Sequence, residues 1–236
     1  MVVVPRSDRT PLHTSAVVVL VVLALANVMS NRVLAPWAYV PWNVSIAVAI
    51  ILLARRSVTL GEMGFTEWRR GAKWGGVLFA LTAGVLLISL AIPVFHQMYH
   101  DRRVSAGVWT WIYQAFVRIP LGTALLEETA FRAVLPALFA VRWGVLRGCV
   151  LASLCFGLWH VLPALNLGRI NPEAASWLGR GLTGELVGVA FAVVGTAIAG
   201  LWWCWIRYRS RSVISTMIAH IASNSVSYTI AFIINR

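Results

Sequence analysis

Acidic residues are scarce. The chain of 236 residues carries eight Asp and Glu against twenty Lys and Arg, and charged residues make up only 12% of it. Soluble domains carry about twice that share, so a water-clothed globule is excluded. Lysine is almost missing: Lys73 is the only one, and the net charge of +12 rests on arginine. The arginines lie between apolar runs and form no basic stripe. That pattern excludes a nucleic-acid partner and suits the connections of a membrane protein. Cysteine is limited to Cys149, Cys155 and Cys204, an odd number inside apolar runs with no paired spacing. A disulfide or zinc framework is thereby excluded, and the three are expected as small buried hydrophobes. Also missing are H-E-x-x-H, G-x-S-x-G, a phosphate-binding glycine loop, internal repeats and any soluble domain.

What the chain has is hydrophobicity: 59% of its residues are hydrophobic and mean hydropathy is +0.78. The expected fold is all-α, a polytopic membrane bundle of about eight transmembrane helices, multi-pass in a bacterial cell membrane. Residues 1–14 read as a polar lead. Spans follow at about 15–35 and up to 54, joined around Pro36 and Pro41. There Trp37, Tyr39 and Trp42 form an interfacial aromatic belt. The polar loop 55–73 holds five basic residues and is expected on the cytoplasmic side. Further spans are expected at 74–95, 106–118 (turning near Pro120 and Gly122), 123–140, 148–163, 182–205 and 213–234. A turn falls at 142–147 and a polar loop at 166–181. Two parts are expected: residues 1–105, N-terminal membrane helices with about three spans, and residues 106–236, a catalytic membrane core. The basic residues divide too evenly between the two sides of this arrangement to orient it.

The stretch Thr123–Pro136, T-A-L-L-E-E-T-A-F-R-A-V-L-P, sets Glu127, Glu128 and Arg132 in an apolar run. A charge at membrane depth costs roughly 2.5–3.5 kcal/mol on insertion scales and marks a protein interior or a water-filled cavity. Glu128 and Arg132 are four apart, share a helix face and can pair. Glu127 projects about 100° away from Glu128 and is left free for chemistry. Two other spans carry polar groups: Phe156-Gly-Leu-Trp-His160 and His220-Ile-Ala-Ser-Asn224. The turn near Trp143–Gly144 is equidistant from Glu127 and His160, so antiparallel neighbours would hold them at one depth. His220 and Asn224 are four apart and share a face. Carboxylate and imidazole together can take a proton from water, and an imidazole with an amide can hold an oxyanion. These polar groups are therefore expected on one intramembrane cavity. Gly184-x-x-x-Gly188 permits close helix packing in lipid.

Glu127-Glu128-x-x-x-Arg132, Phe156-x-x-x-His160 and His220-x-x-x-Asn224, in this order, resemble the CPBP intramembrane proteases, the CAAX protease and bacteriocin-processing (Abi) family. The resemblance covers roughly residues 106–232. It implies a helical membrane endopeptidase acting on a membrane-associated peptide or protein, with Glu127 and His160 activating water. His220 and Asn224 would form the oxyanion hole, with Glu128, Arg132 and Phe156 as structural support. It favours a glutamate-type enzyme without a cofactor. A zinc enzyme stays open, since two His and a Glu could ligate the metal. Ala164 stands where some members carry a further polar residue. Two non-hydrolytic readings also remain, a catalytically silent membrane scaffold and a proton-coupled transporter.

Overall fold

The computed structural model describes residues 12–99, 104, 107–165 and 181–236. The polar lead up to residue 11, residues 100–103 and nearly all of the expected 166–181 loop lie outside the described residues. Six helical runs are long and apolar enough to cross a membrane: Thr14–Val33, Pro36–Ala54, Leu60–Ser89, Val108–Ala164, Gly181–Ser210 and Val213–Ile234. In lipid a backbone must satisfy its own polar groups, which a helix does within one segment. No strand occurs among the described residues. The chain is an all-helical, integral, multi-pass membrane protein.

The fourth run has 57 residues, far more than the ~20 that one crossing needs. It is broken at Gly144, whose φ of 78° and ψ of 165° are outside any helix and open to glycine. The chain reverses there. A Cβ on Gly148 would stand 2.9 Å from the Ala140 nitrogen and 3.0 Å from the Pro136 oxygen, so the two arms meet backbone to backbone. This is the hairpin expected from Trp143–Gly144.

The turn expected near Pro120 and Gly122 is absent, and this corrects the spans on either side of it. Gln114–Ala124 is helical throughout, in wide π-type turns, with Pro120 inside. Proline lacks an N–H and crowds the carbonyl four residues back in a regular α-helix. Wide turns shift that register and let the helix pass through. Residues 108–143 therefore form one arm and 145–164 the other.

Losing one turn changes which connections share an end of the bundle. Arg70 donates from Nη2 to the Arg209 carbonyl at 3.0 Å, Arg207 donates to the Glu62 carbonyl, and the Val213 N–H bonds the Gly64 carbonyl at 3.0 Å. Glu62, Val141, Val145 and Arg211 line one cavity. The connections at 55–67, 142–147 and 207–212 thus gather at one end. With them come Arg55, Arg56, Arg69, Arg70, Lys73, Arg142, Arg147, Arg207, Arg209 and Arg211.

The core unites both halves of the chain. Val19, Leu23, Ala47 and Ile50 pack in one buried cluster with Leu126, Phe131, Leu135, Phe156 and Val213. Val85, Ile88, Phe191 and Ile198 are exposed, as a lipid-facing surface requires. Cys149 and Cys204 are buried, Cys155 is half-buried, and all three are free thiols.

Candidate active site

Glu127 and Glu128 lie near the middle of the 108–143 arm, inside a run apolar enough to cross a membrane, where an unpaired charge is costly. Both are buried, at 7% and 0% exposure, and Arg132 is at 1%. Wide helical turns at Thr129–Val134 follow the two carboxylates directly. Arg132 Nε stands 3.5 Å from Glu128 Oε2, an ion pair too long for a tight hydrogen bond. Its guanidinium also lies 3.8 Å from the centroid of Phe156. The cation is held by a charge on one side and a ring face on the other.

Glu128 does more than pair with Arg132. Its Oε1 accepts a hydrogen bond from His220 Nδ1 at 2.8 Å. A carboxylate can only accept, so Nδ1 carries the proton. His220 Nε2 is 3.1 Å from Asn224 Nδ2, where the amide donates to the free ring nitrogen. Asn224 Oδ1 in turn accepts from Ser223 Oγ at 3.2 Å. The line Glu128–His220–Asn224 fixes both the tautomer and the orientation of the imidazole. Wide turns at Ala222–Val226 carry Ser223 and Asn224.

Glu127 faces the other side of this line. Its Oε1 accepts from Trp159 Nε1 at 3.1 Å, and its Oε2 is 3.9 Å from His220 Nε2. The hairpin therefore brings the expected depths together, with Trp159 as the residue that touches Glu127. His160 is turned so that Nδ1 donates to the Phe156 carbonyl at 2.8 Å. Its free nitrogen is then Nε2, and its ring packs edge-on against Phe156, centroids 4.5 Å apart. No hydrogen bond joins His160 to Glu127 among the described residues.

The four residues share one cavity of about 480 Å³, lined by Glu127, His160, His220 and Asn224 together with Arg132 and Phe156. The wall also includes Asn31, Tyr39, Arg118, Thr123 and Ser223, none of which the sequence assigned to the site; Tyr39 was expected only in the interfacial aromatic belt. Asn27, one turn before Asn31, donates to the Trp159 carbonyl at 3.0 Å. Asn43 donates to the Gly122 carbonyl at 2.8 Å. Polar residues in the first two spans were the available signal, since each is costly in lipid without a partner. Among the described residues, no three His, Cys, Asp or Glu side chains stand together as a metal-binding group.

A buried carboxylate, two oriented imidazoles and an amide around one cavity suit addition of water to a carbonyl. Comparison with known proteins bears on that chemistry. No curated protein and no solved structure gives a significant match. The family model described as type II CAAX prenyl endopeptidase Rce1-like matches residues 107–226, a stretch that holds Glu127, Glu128, Arg132, Phe156, His160, His220 and Asn224. That match covers more than half of the chain, which belongs to the Rce1-like family of CAAX-type membrane endopeptidases.

Proposed function

We propose that the protein is an intramembrane endopeptidase in which Glu127 is the general base, acting on a membrane-associated polypeptide. The observation that carries this is the pair of contacts around Glu127. Its carboxylate is oriented by the Trp159 N–H and opens on the same cavity as His160, His220 and Asn224. Water held between Glu127 and His160 loses a proton to Glu127 as its oxygen attacks the scissile carbonyl. The negative charge that develops on the carbonyl oxygen meets Asn224, whose NH2 keeps a second N–H beyond the one given to His220. His220, held by Glu128 through its Nδ1–H, accepts the first Asn224 N–H at Nε2 and so fixes the direction of the second toward the oxyanion. The intermediate collapses as Glu127 passes its proton to the leaving amine. The products are a new carboxyl terminus and a new amino terminus. Arg132 holds Glu128 in place from the opposite side, and Phe156 positions both Arg132 and His160. No step in this sequence draws on a metal or cofactor.

The test is a membrane proteome comparison of cells carrying the wild type with cells carrying Glu127→Ala. Peptide termini that form only with the wild type are the expected result. Identical termini in both would remove the protease reading and leave a scaffold.

A further inference from the structure

We propose that the cavity at the basic end of the bundle is a binding site for a phospholipid headgroup that carries both a phosphate and a primary ammonium, the chemistry of phosphatidylethanolamine. The site is separate from the catalytic cavity, with which it shares no lining residue.

The observation that carries this is a buried cation without a counterion. Arg132 and Arg207 are both buried, at 1% and 4% exposure. Arg132 has Glu128 as its ion-pair partner. Arg207 pairs with no carboxylate among the described residues. One of its Nη atoms donates to the Glu62 backbone carbonyl, its Nε has no hydrogen-bond partner, and its guanidinium stands 4.2 Å from the centroid of the Tyr208 ring. The C-terminal turn of its own helix, Gly181–Ser210, offers only partial negative charge. A buried charge is costly unless something pairs with it. The fold nevertheless makes room for this one. Gly64 takes a left-handed φ of 86°, and a Cβ there would stand 2.9 Å from Arg207 Nε. Glycine lets the guanidinium lie directly against the backbone.

Arg207 lines a cavity of about 490 Å³, within the roughly 300–1,000 Å³ of small-ligand sites. Arg211 stands on its rim, exposed, with a left-handed φ of 59° that glycine would adopt more readily. Two arginines are suited to a phosphate. Two carboxylates line the same cavity, Glu62 and Glu67. Glu62 gives Oε2 to the Thr59 N–H and hydroxyl, while Glu67 is exposed and its side chain caps no helix N–H. A lining of two cations and two anions suits a ligand that is itself zwitterionic. It disfavours a purely anionic headgroup. A primary ammonium can donate hydrogen bonds to Glu67, and a quaternary one cannot.

The position selects a lipid. Glu62 is in the first turn of Leu60–Ser89 and Arg207 in the last turn of Gly181–Ser210, so the cavity lies where two spans end, at headgroup level. Its other wall is apolar: Val141 and Val145, at the tip of the hairpin, are 42% and 49% exposed and offer a path for acyl chains.

The experiment titrates the delipidated, purified protein in detergent with phosphatidylethanolamine, phosphatidylglycerol or phosphatidylcholine and counts bound lipid by native mass spectrometry. The expected result is one phosphatidylethanolamine held about tenfold or more tighter than either of the others, as hydrogen bonds between charged groups allow. Arg211→Gly, which suits its backbone angle, should weaken binding of all three lipids about tenfold. Glu67→Gln should remove the preference for phosphatidylethanolamine over phosphatidylcholine. Arg207→Gln should abolish specific binding, and if that variant does not fold the other two decide. Inorganic phosphate at millimolar concentration should not displace the lipid. Equal retention of the three lipids by the wild type, or binding unchanged in Arg211→Gly and Glu67→Gln, overturns the proposal. Displacement of the lipid by inorganic phosphate overturns the lipid assignment and makes the cavity a site for free phosphate. None of these readouts needs proteolysis, so the result is independent of the protease reading.

Discussion

At the scale of single residues, the site is a set of polar groups that satisfy one another because lipid cannot. Among the described residues, Glu128 and the Phe156 ring hold the charge of Arg132. Arg132→Ala leaves Glu128 without its cation, and breaking such a buried pair costs roughly 3–5 kcal/mol. The expected outcome is a large fall in folded protein, read by size-exclusion of a fluorescent fusion. Full abundance with no cleavage would instead give Arg132 a direct part in the reaction. Trp159→Phe keeps the packing against Phe131 and removes the N–H that orients Glu127. Hydrogen bonds to charged groups contribute about 1.5–3 kcal/mol, so kcat should drop about tenfold or more while abundance stays. Asn224→Ala removes one oxyanion donor. The expected loss is about 10²–10³ in kcat with KM little changed, since the interaction belongs to the transition state. The motif residues were legible because a Glu, Arg or His in an apolar run announces itself by its cost. Their partners were not equally so. That Glu128 would bond His220, and that Trp159 would reach Glu127 ahead of His160, depends on side-chain direction. Spacing along one helix does not encode that direction.

At the scale of elements, the expected hairpin at Gly144 forms because glycine alone tolerates its backbone angles and because Gly148 lets the arms touch. The expected turn at Pro120 fails because wide helical turns accommodate proline, and hydrophobic periodicity does not distinguish an α-turn from a π-turn over so few residues. The same wide turns recur beside Glu128 and around Asn224, which aims those side chains off the regular helical spacing. The packing of the 145–164 arm on Gly181–Ser210 gives a direct test. A Cβ on Gly157 would stand 2.6 Å from the Val193 carbonyl oxygen, whereas one on Gly195 meets nothing within 4 Å. Gly157→Val should therefore lose folded protein, in line with the roughly 1–3 kcal/mol that overpacking costs. Gly195→Val should accumulate like the wild type. Equal behaviour of the two would mean that this seam does not hold the bundle together.

At the scale of the whole molecule, eight acidic residues among 236 were enough to reveal the plan, because so few charges survive in a membrane without a use. Composition gave the all-helical, multi-pass architecture, and three loose motifs in order gave the family. The contribution of the first hundred residues was less visible. Asn27, Asn31, Tyr39 and Asn43 bond to or line the site built by later helices, and such long-range partners leave no local pattern. The central claim is that Glu127, working on water without a bound metal, cleaves a peptide bond inside this cavity. The measurement that tests it most directly is cleavage by purified protein, reconstituted in lipid with a peptide found by the proteome comparison, after exhaustive chelation and with or without added zinc. The predicted result is unchanged turnover of the wild type after chelation and no detectable turnover by Glu127→Gln. Activity that vanishes on chelation and returns with stoichiometric zinc, or a Glu127→Gln variant that still cuts, would contradict it.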